Sequence, residues 1–183
     1  LDSLVKEYDI RVAIHNHGPG SRYDKIDSVL NAIKNRHPNI GACADLGHFI
    51  RSGEDPVRAI NLFEGRLFGI HLKDFVAPRG DAQGCVLGKG VLDVEVTFKA
   101  LKKVNFPSDA CMALEYEENP SDPTADLKQC LAVAEAAATK ALIDHLAARR
   151  MQFPNMHVYH YNHTERSSLE RLVREHSVAE LVL

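Results

Sequence analysis

Four short runs of small and β-branched residues punctuate most of this chain, and each is followed by a turn signal and then by helical periodicity. They are Arg11–His15, Ile40–Asp45, Leu67–His71 and Ala110–Glu115. Strands that are apolar on both faces, alternating regularly with helices, imply a parallel sheet covered by crossover helices. A TIM-type barrel and a doubly wound sheet both meet that description. No Gly-x-Gly-x-x-Gly follows a strand, which takes weight from a dinucleotide-binding sheet. A full barrel needs eight strands and about 250 residues, and only four strand runs are legible in these 183 residues. The predicted fold is therefore α/β: half of a (β/α)8 TIM barrel, four parallel β-α units, with a short strand-helix tail.

The helices between the runs carry their own signals. Residues 1–8 read as the end of a helix. Ser21-Arg-Tyr-Asp24 has the spacing of a capping box ahead of the apolar stripe Ile26, Val29, Leu30 and Ile33. Asp55-Pro56 supplies a cap and a first helical position for Val57, Ile60, Leu62 and Phe63. A loop containing Gly80, Gly84, Gly88 and Gly90 precedes a helix through Phe98, Leu101 and Val104, and Asp122-Pro123 opens a long helix reaching roughly His145.

Composition changes near Arg149. All 11 glycines lie at or before Gly90, and no lysine follows Lys140. Residues 149–183 carry a net charge of +1 and residues 1–148 carry −4, within a total of −3. The expected division is a barrel-like unit over 1–148 and a tail over 149–183, read as a fused fragment. Hydrophobic content of 45% with 26% charged residues excludes wholesale disorder. The slight acidity disfavours nucleic acid as a partner. No apolar run reaches the roughly 18 residues of a membrane span, and Leu1-Asp-Ser-Leu4 does not read as a secretory signal. The four cysteines (Cys43, Cys85, Cys111 and Cys130) form no Cys-x-x-Cys pair, and reduced, buried thiols in a cytoplasmic protein are expected.

Every strand run ends in a potential metal ligand or proton carrier: His15, Asp45, His71 and Glu115, separated by 30, 26 and 44 residues. In a parallel α/β sheet the C-terminal strand ends share one rim, so these four side chains converge. Mixed imidazole and carboxylate donors suit Mn, Zn, Co or Fe better than Ca. A single His or Asp at a strand end commonly caps a turn; four in register are hard to explain by packing. Asn16 or His17 could replace His15 as the functional group. His48 reads either as a substrate or ligand-orienting group or as a residue of a helix start. Lys73 and Asp74 read either as a substrate clamp or as a solvated pair. Gly88-Lys89-Gly90 resembles an anion-cradling loop, although a lone Gly-x-Gly is weak evidence.

Five segments carry a family likeness: Val12-Ala-Ile-His15-Asn-His-Gly, Ala44-Asp45-Leu-Gly-His48, Gly69-Ile-His71-Leu-Lys-Asp74, Leu87-Gly-Lys-Gly-Val-Leu-Asp93 and Ala113-Leu-Glu115. Together they resemble the second half, strands five to eight, of the sugar-phosphate isomerase/epimerase group of xylose-isomerase-like TIM barrels. That group holds one divalent metal on Glu, Asp, His and Glu. The resemblance implies a metal set of His15, Asp45, His71 and Glu115, with His15 standing where the family has its first glutamate. This departure puts symmetric two-glutamate epimerisation in doubt and leaves a one-base isomerase or a dehydratase as plausible. The implied cofactor is one divalent ion (Mn, Zn, Co or Mg), and the implied substrate is a small sugar, sugar phosphate or related polyhydroxy carbonyl compound, reacting through a metal-stabilised enediolate. Glu115 would be the general base, His15 a ligand or second proton carrier, and His17, His48, Lys73, Gly88 and Gly90 substrate contacts.

Two rival readings remain: an endonuclease IV-like phosphodiesterase, which needs about three zinc ions and a basic groove, and an inactive barrel fragment or interaction module. A half-barrel leaves two open sheet edges, so pairing of two copies into a complete barrel is expected. In the tail, Met156–Glu165 with Leu169 and Leu172 resembles a segment of predicted RecB-family nucleases. The alternative there is a short strand and an amphipathic helix capped by Asn162 and Glu165.

Overall fold

The computed structural model describes residues 1–157 and 163–176, with the side chains of 163–166 left aside. The elements run α1 (Asp2–Glu7), β1 (Val12–His15), α2 (Ile26–Ile33), β2 (Ile40–Asp45), α3 (Leu46–Arg51), α4 (Pro56–Leu62), β3 (Leu67–Leu72), β4 (Asp74–Phe75), β5 (Gly84–Cys85), α5 (Val94–Lys103), β6 (Cys111–Leu114), α6 (Thr124–Gln152) and α7 (His163–Glu175). Four strands form one parallel sheet in the order β1-β2-β3-β6. All four expected strand runs are therefore strands of an α/β fold, adjacent in chain order.

Strand alternation sorts the two faces. Ala42, Ala44, Ile70 and Leu72 join Ile26, Val29 and Ile33 of α2, Ile60 of α4 and Leu101 of α5 in one buried apolar cluster. Cys43 and Asp45 point to the other face of β2. The outer strands are less covered: β6 begins with exposed Cys111 and Met112, and Ala13 and His15 of β1 are exposed.

Asp55 accepts from the Val57 N–H at 2.8 Å, with Pro56 at the first helical position, as the sequence predicts. Three local expectations need correction. The helix after β1 starts at Ile26, because the Asp24 carboxylate accepts from Gly20 N–H at 3.0 Å and closes the preceding loop instead of capping a helix. The glycine-containing loop holds a two-residue antiparallel ladder, β4 with β5. The long helix α6 runs past His145 to Gln152, through the change in composition near Arg149.

All four cysteines are free, but only Cys130 is buried; Cys43 and Cys85 are half-buried and Cys111 is exposed. The expected tail strand, and Asn162 as a cap, fall mostly or wholly outside the described residues, as does the side chain of Glu165. Helix α7 follows that segment and brings His176 Nε2 to 3.9 Å from the Glu135 carboxylate of α6. No helix among the described residues is long and apolar enough to cross a membrane.

Candidate metal centre

His15 closes β1, Asp45 closes β2, His71 sits one residue from the end of β3, and Glu115 directly follows β6. The register pairs His15 with Cys43, Asp45 with His71, and His71 with Ala113. Parallel pairing thus delivers all four side chains to one end of the sheet. One donor atom from each lies within 4.8 Å of the donor atoms of the other three. His15 Nε2 is 3.7 Å and His71 Nδ1 4.0 Å from Asp45 Oδ2, and the two rings meet at a tilt of 49° with centroids 4.4 Å apart.

Asp45 is fully buried, and its two oxygens have different tasks. Oδ1 caps α3 by accepting from the His48 backbone N–H at 2.8 Å. Oδ2 is buried without a hydrogen-bond partner among the described residues. A buried carboxylate oxygen without a hydrogen bond is costly, and one facing the imidazoles of His15, His48 and His71 from 3.7, 3.9 and 4.0 Å is placed as a cation ligand would be. Asn16, itself 1% exposed, fixes the Asp45 backbone from both sides. Its amide donates to Asp45 C=O at 2.9 Å, and its carbonyl accepts from Asp45 N–H at 2.8 Å. Of the three candidates at the end of β1, His15 reaches the cluster and Asn16 positions Asp45. Exposed His17 instead packs on His48, with ring centroids 4.1 Å apart.

Glu115 is held on both oxygens, Oε2 lying 2.6 Å from His71 Nδ1 and Oε1 accepting from Lys73 Nζ at 2.6 Å. Burial alone would raise its pKa, but the hydrogen bonds and charges of Lys73 and His71 outweigh that and hold it at about 2. Lys73 also binds Glu117, a partner the sequence pattern did not single out. Burial opposes the Lys73 charge, yet the two glutamates raise its pKa overall. His15 is raised chiefly by its interaction with Asp45. Burial pushes the Cys43 thiol up to about 11, helped by nearby Cys111, Asp45 and Glu115.

Lys73 and Asp74 are 5% and 2% exposed, so they are not a solvated pair. Asp74 accepts from four backbone N–H groups: Phe75 and Leu92 on Oδ1 at 2.8 and 3.0 Å, and Gly88 and Gly90 on Oδ2 at 2.9 and 3.0 Å. The glycine loop does cradle an anion, and that anion is Asp74 itself. This corrects the expectation that Gly88 and Gly90 offer their amides to substrate. A Cβ on Gly90 would come within 2.3 Å of Asp74 Oδ1, and Gly88 has φ +81°, so both positions require glycine to wrap the carboxylate.

His48 is 4% exposed, and its Nδ1 is buried without a hydrogen-bond partner among the described residues. Burial lowers its pKa; attraction to Asp45, 3.9 Å from Nε2, opposes this, and His17, Lys73 and Arg51 lower it further. Its folded pKa therefore lies below the ordinary value of 6.5. The unfolded chain binds the extra proton first as pH falls through that value, so the His48 contribution to stability is present above it and lost below. Thermal melts of metal-free protein at pH 7.5 and 5.5 should show a larger acid loss in wild type than in His48→Gln. Equal losses would show that His48 does not carry the dependence.

Residues 1–149 match the family described as xylose isomerase-like TIM barrel. The chain is 27% identical over 138 residues to an inosose dehydratase of Clostridium beijerinckii, covering 66% of this chain and 45% of that protein. It is 27% identical over 103 residues to a 3-oxo-isoapionate decarboxylase of Pectobacterium atrosepticum, covering 53% of this chain and 36% of that protein. It thus spans less than half the length of both relatives. Among solved structures, an L-ribulose 3-epimerase superposes with a TM-score of 0.61 at 17% identity, over 80% of this chain and 53% of that one. A protein named IOLI, solved with a zinc atom, gives 0.61 at 16% identity, over 76% and 52%. On the match over residues 1–149, this chain belongs to the xylose isomerase-like TIM barrel family.

Proposed function

We propose that this chain carries the metal-binding part of a divalent-metal-dependent enzyme that isomerises, epimerises or dehydrates a small polyhydroxy carbonyl compound. The observation that carries the reading is the meeting of His15, Asp45, His71 and Glu115 within 4.8 Å, one from the end of each parallel strand. Similarity to a sugar epimerase and to inosose dehydratases supports the substrate class. The donor set, with Asp45 Oδ2 buried and without a hydrogen-bond partner among the described residues, fits one ion of the Zn, Co or Mn kind, with Mg a further choice.

In this reading the ion supplies a Lewis acid that acidifies the carbon-bound proton beside the substrate carbonyl. Glu115 takes that proton. Its low pKa keeps it ionised at neutral pH and makes it a weak base, which is why it needs an acidified C–H. Lys73 positions the carboxylate by holding Oε1 at 2.6 Å. His15, raised by Asp45, is a ligand and the candidate second proton carrier. Exposed His17 contacts substrate beside the rim, buried His48 backs its ring, and Gly88 and Gly90 contribute by folding the loop around Asp74. With His15 in place of a second glutamate, proton return is asymmetric, which favours a one-base isomerase or a dehydratase.

The same reading takes residues 1–148 as a half-barrel whose four parallel strands are strands five to eight of an eight-stranded barrel, with 149–183 as an appendage. The outer strands β1 and β6 would then pair with another barrel half, for which a second copy of this chain is the proposed source. Dialysis against zinc followed by metal analysis should find about one ion per chain. Glu115→Gln should lower turnover on a panel of ketoses and inososes by 10²–10⁴-fold. Absence of a bound divalent ion, or undiminished turnover in the variant, would refute the assignment.

A further inference from the structure

We propose that the Cys43 thiol is an additional donor at this centre, which gives the bound ion one thiolate bond; the inference rests on the metal reading above. Cys43 stands directly opposite His15 in the β1–β2 register and two residues before Asp45 on the same face of β2. A donor atom of His15, Sγ of Cys43 and a donor atom of His71 all lie within 4.8 Å of one another. Two donor sets therefore share the same pair of imidazoles: His15 and His71 with Asp45 and Glu115, and His15 and His71 with Cys43.

Two further observations point the same way. Asp45 Oδ2, fully buried and without a hydrogen-bond partner, faces both imidazoles from 3.7 and 4.0 Å. On the neighbouring strand Gly69 leaves space for the sulfur, because a Cβ there would come within 2.8 Å of Cys43 Sγ. The thiol is half-buried and free of any disulfide.

On binding, a sulfur–metal bond forms, the S–H bond breaks and its proton leaves to solvent, with no change of oxidation state. Thiolate is a soft ligand, so Cys43 biases a centre of imidazole and carboxylate toward Zn and Co and away from Mg and Mn.

Cobalt(II) titration of the full chain tests this by absorption spectroscopy. Wild type should show ligand-field bands together with a near-ultraviolet thiolate-to-cobalt charge-transfer band. Cys43→Ser and Cys43→Ala should lose the charge-transfer band, and Cys111→Ser, on the same face, should keep it. Bound cobalt without that band, or a band that survives both Cys43 substitutions, overturns the thiolate donor and leaves the four-residue metal reading standing. No cobalt binding at all overturns both. If neither variant folds, zinc-edge X-ray absorption of the wild type decides. A sulfur shell near about 2.3 Å supports the proposal, and nitrogen and oxygen alone at about 2.0–2.2 Å refutes it.

Discussion

Asp74→Ala is expected to remove about 3–5 kcal/mol of stability, measured by denaturant unfolding of the metal-free protein. The carboxylate accepts from the backbone N–H groups of Phe75, Gly88, Gly90 and Leu92 and is 2% exposed. Truncation leaves those donors facing an apolar gap, and each unmet buried donor costs about 1–3 kcal/mol. Asn should rescue little, because its NH2 would confront N–H donors on one side of the cradle. A loss below about 1 kcal/mol in the Ala variant would mean that the loop is held by its other packing, such as Leu87 and Leu92.

The second large effect is on binding. Asp45→Asn should weaken zinc affinity by more than about 100-fold while leaving the fold intact, read by competition with a chromophoric chelator. Asparagine keeps an oxygen to cap α3 at the His48 N–H, the task of Oδ1, and replaces the charged, unpartnered Oδ2. At a pH where the neighbouring imidazoles are neutral, apo stability should therefore rise by about 1 kcal/mol, because a buried charge with no hydrogen-bond partner on Oδ2 among the described residues is removed. That opposition, tighter fold and weaker ligand, is the signature of a side chain placed for binding. Unchanged zinc affinity would remove Asp45 from the centre.

Much of this was legible in the residues because parallel sheets translate sequence into geometry simply. His15, Asp45, His71 and Glu115 each follow an apolar run, and parallel register alone brings them together. What the pattern could not supply was the fate of polar groups whose partners are distant in sequence. Lys73-Asp74 followed by Gly88-Lys89-Gly90 suggested a clamp and an anion loop; that Asp74 is the anion requires a contact spanning 14 to 18 residues of turn. The Ser21–Asp24 spacing failed for a similar reason, since Asp24 closes a local loop on Gly20. The sequence marks Cys43 only as a reduced thiol within an apolar run, and the register opposite His15 and the missing Cβ at Gly69 come from the fold. Asn16 is a candidate functional group on sequence grounds, but its actual task, two bonds to the Asp45 backbone, comes from the tertiary fold.

Because the amides of Gly88, Gly90 and Leu92 are already engaged by Asp74, those three donors hold the loop closed on its own side chain and are not offered to an anion arriving from outside.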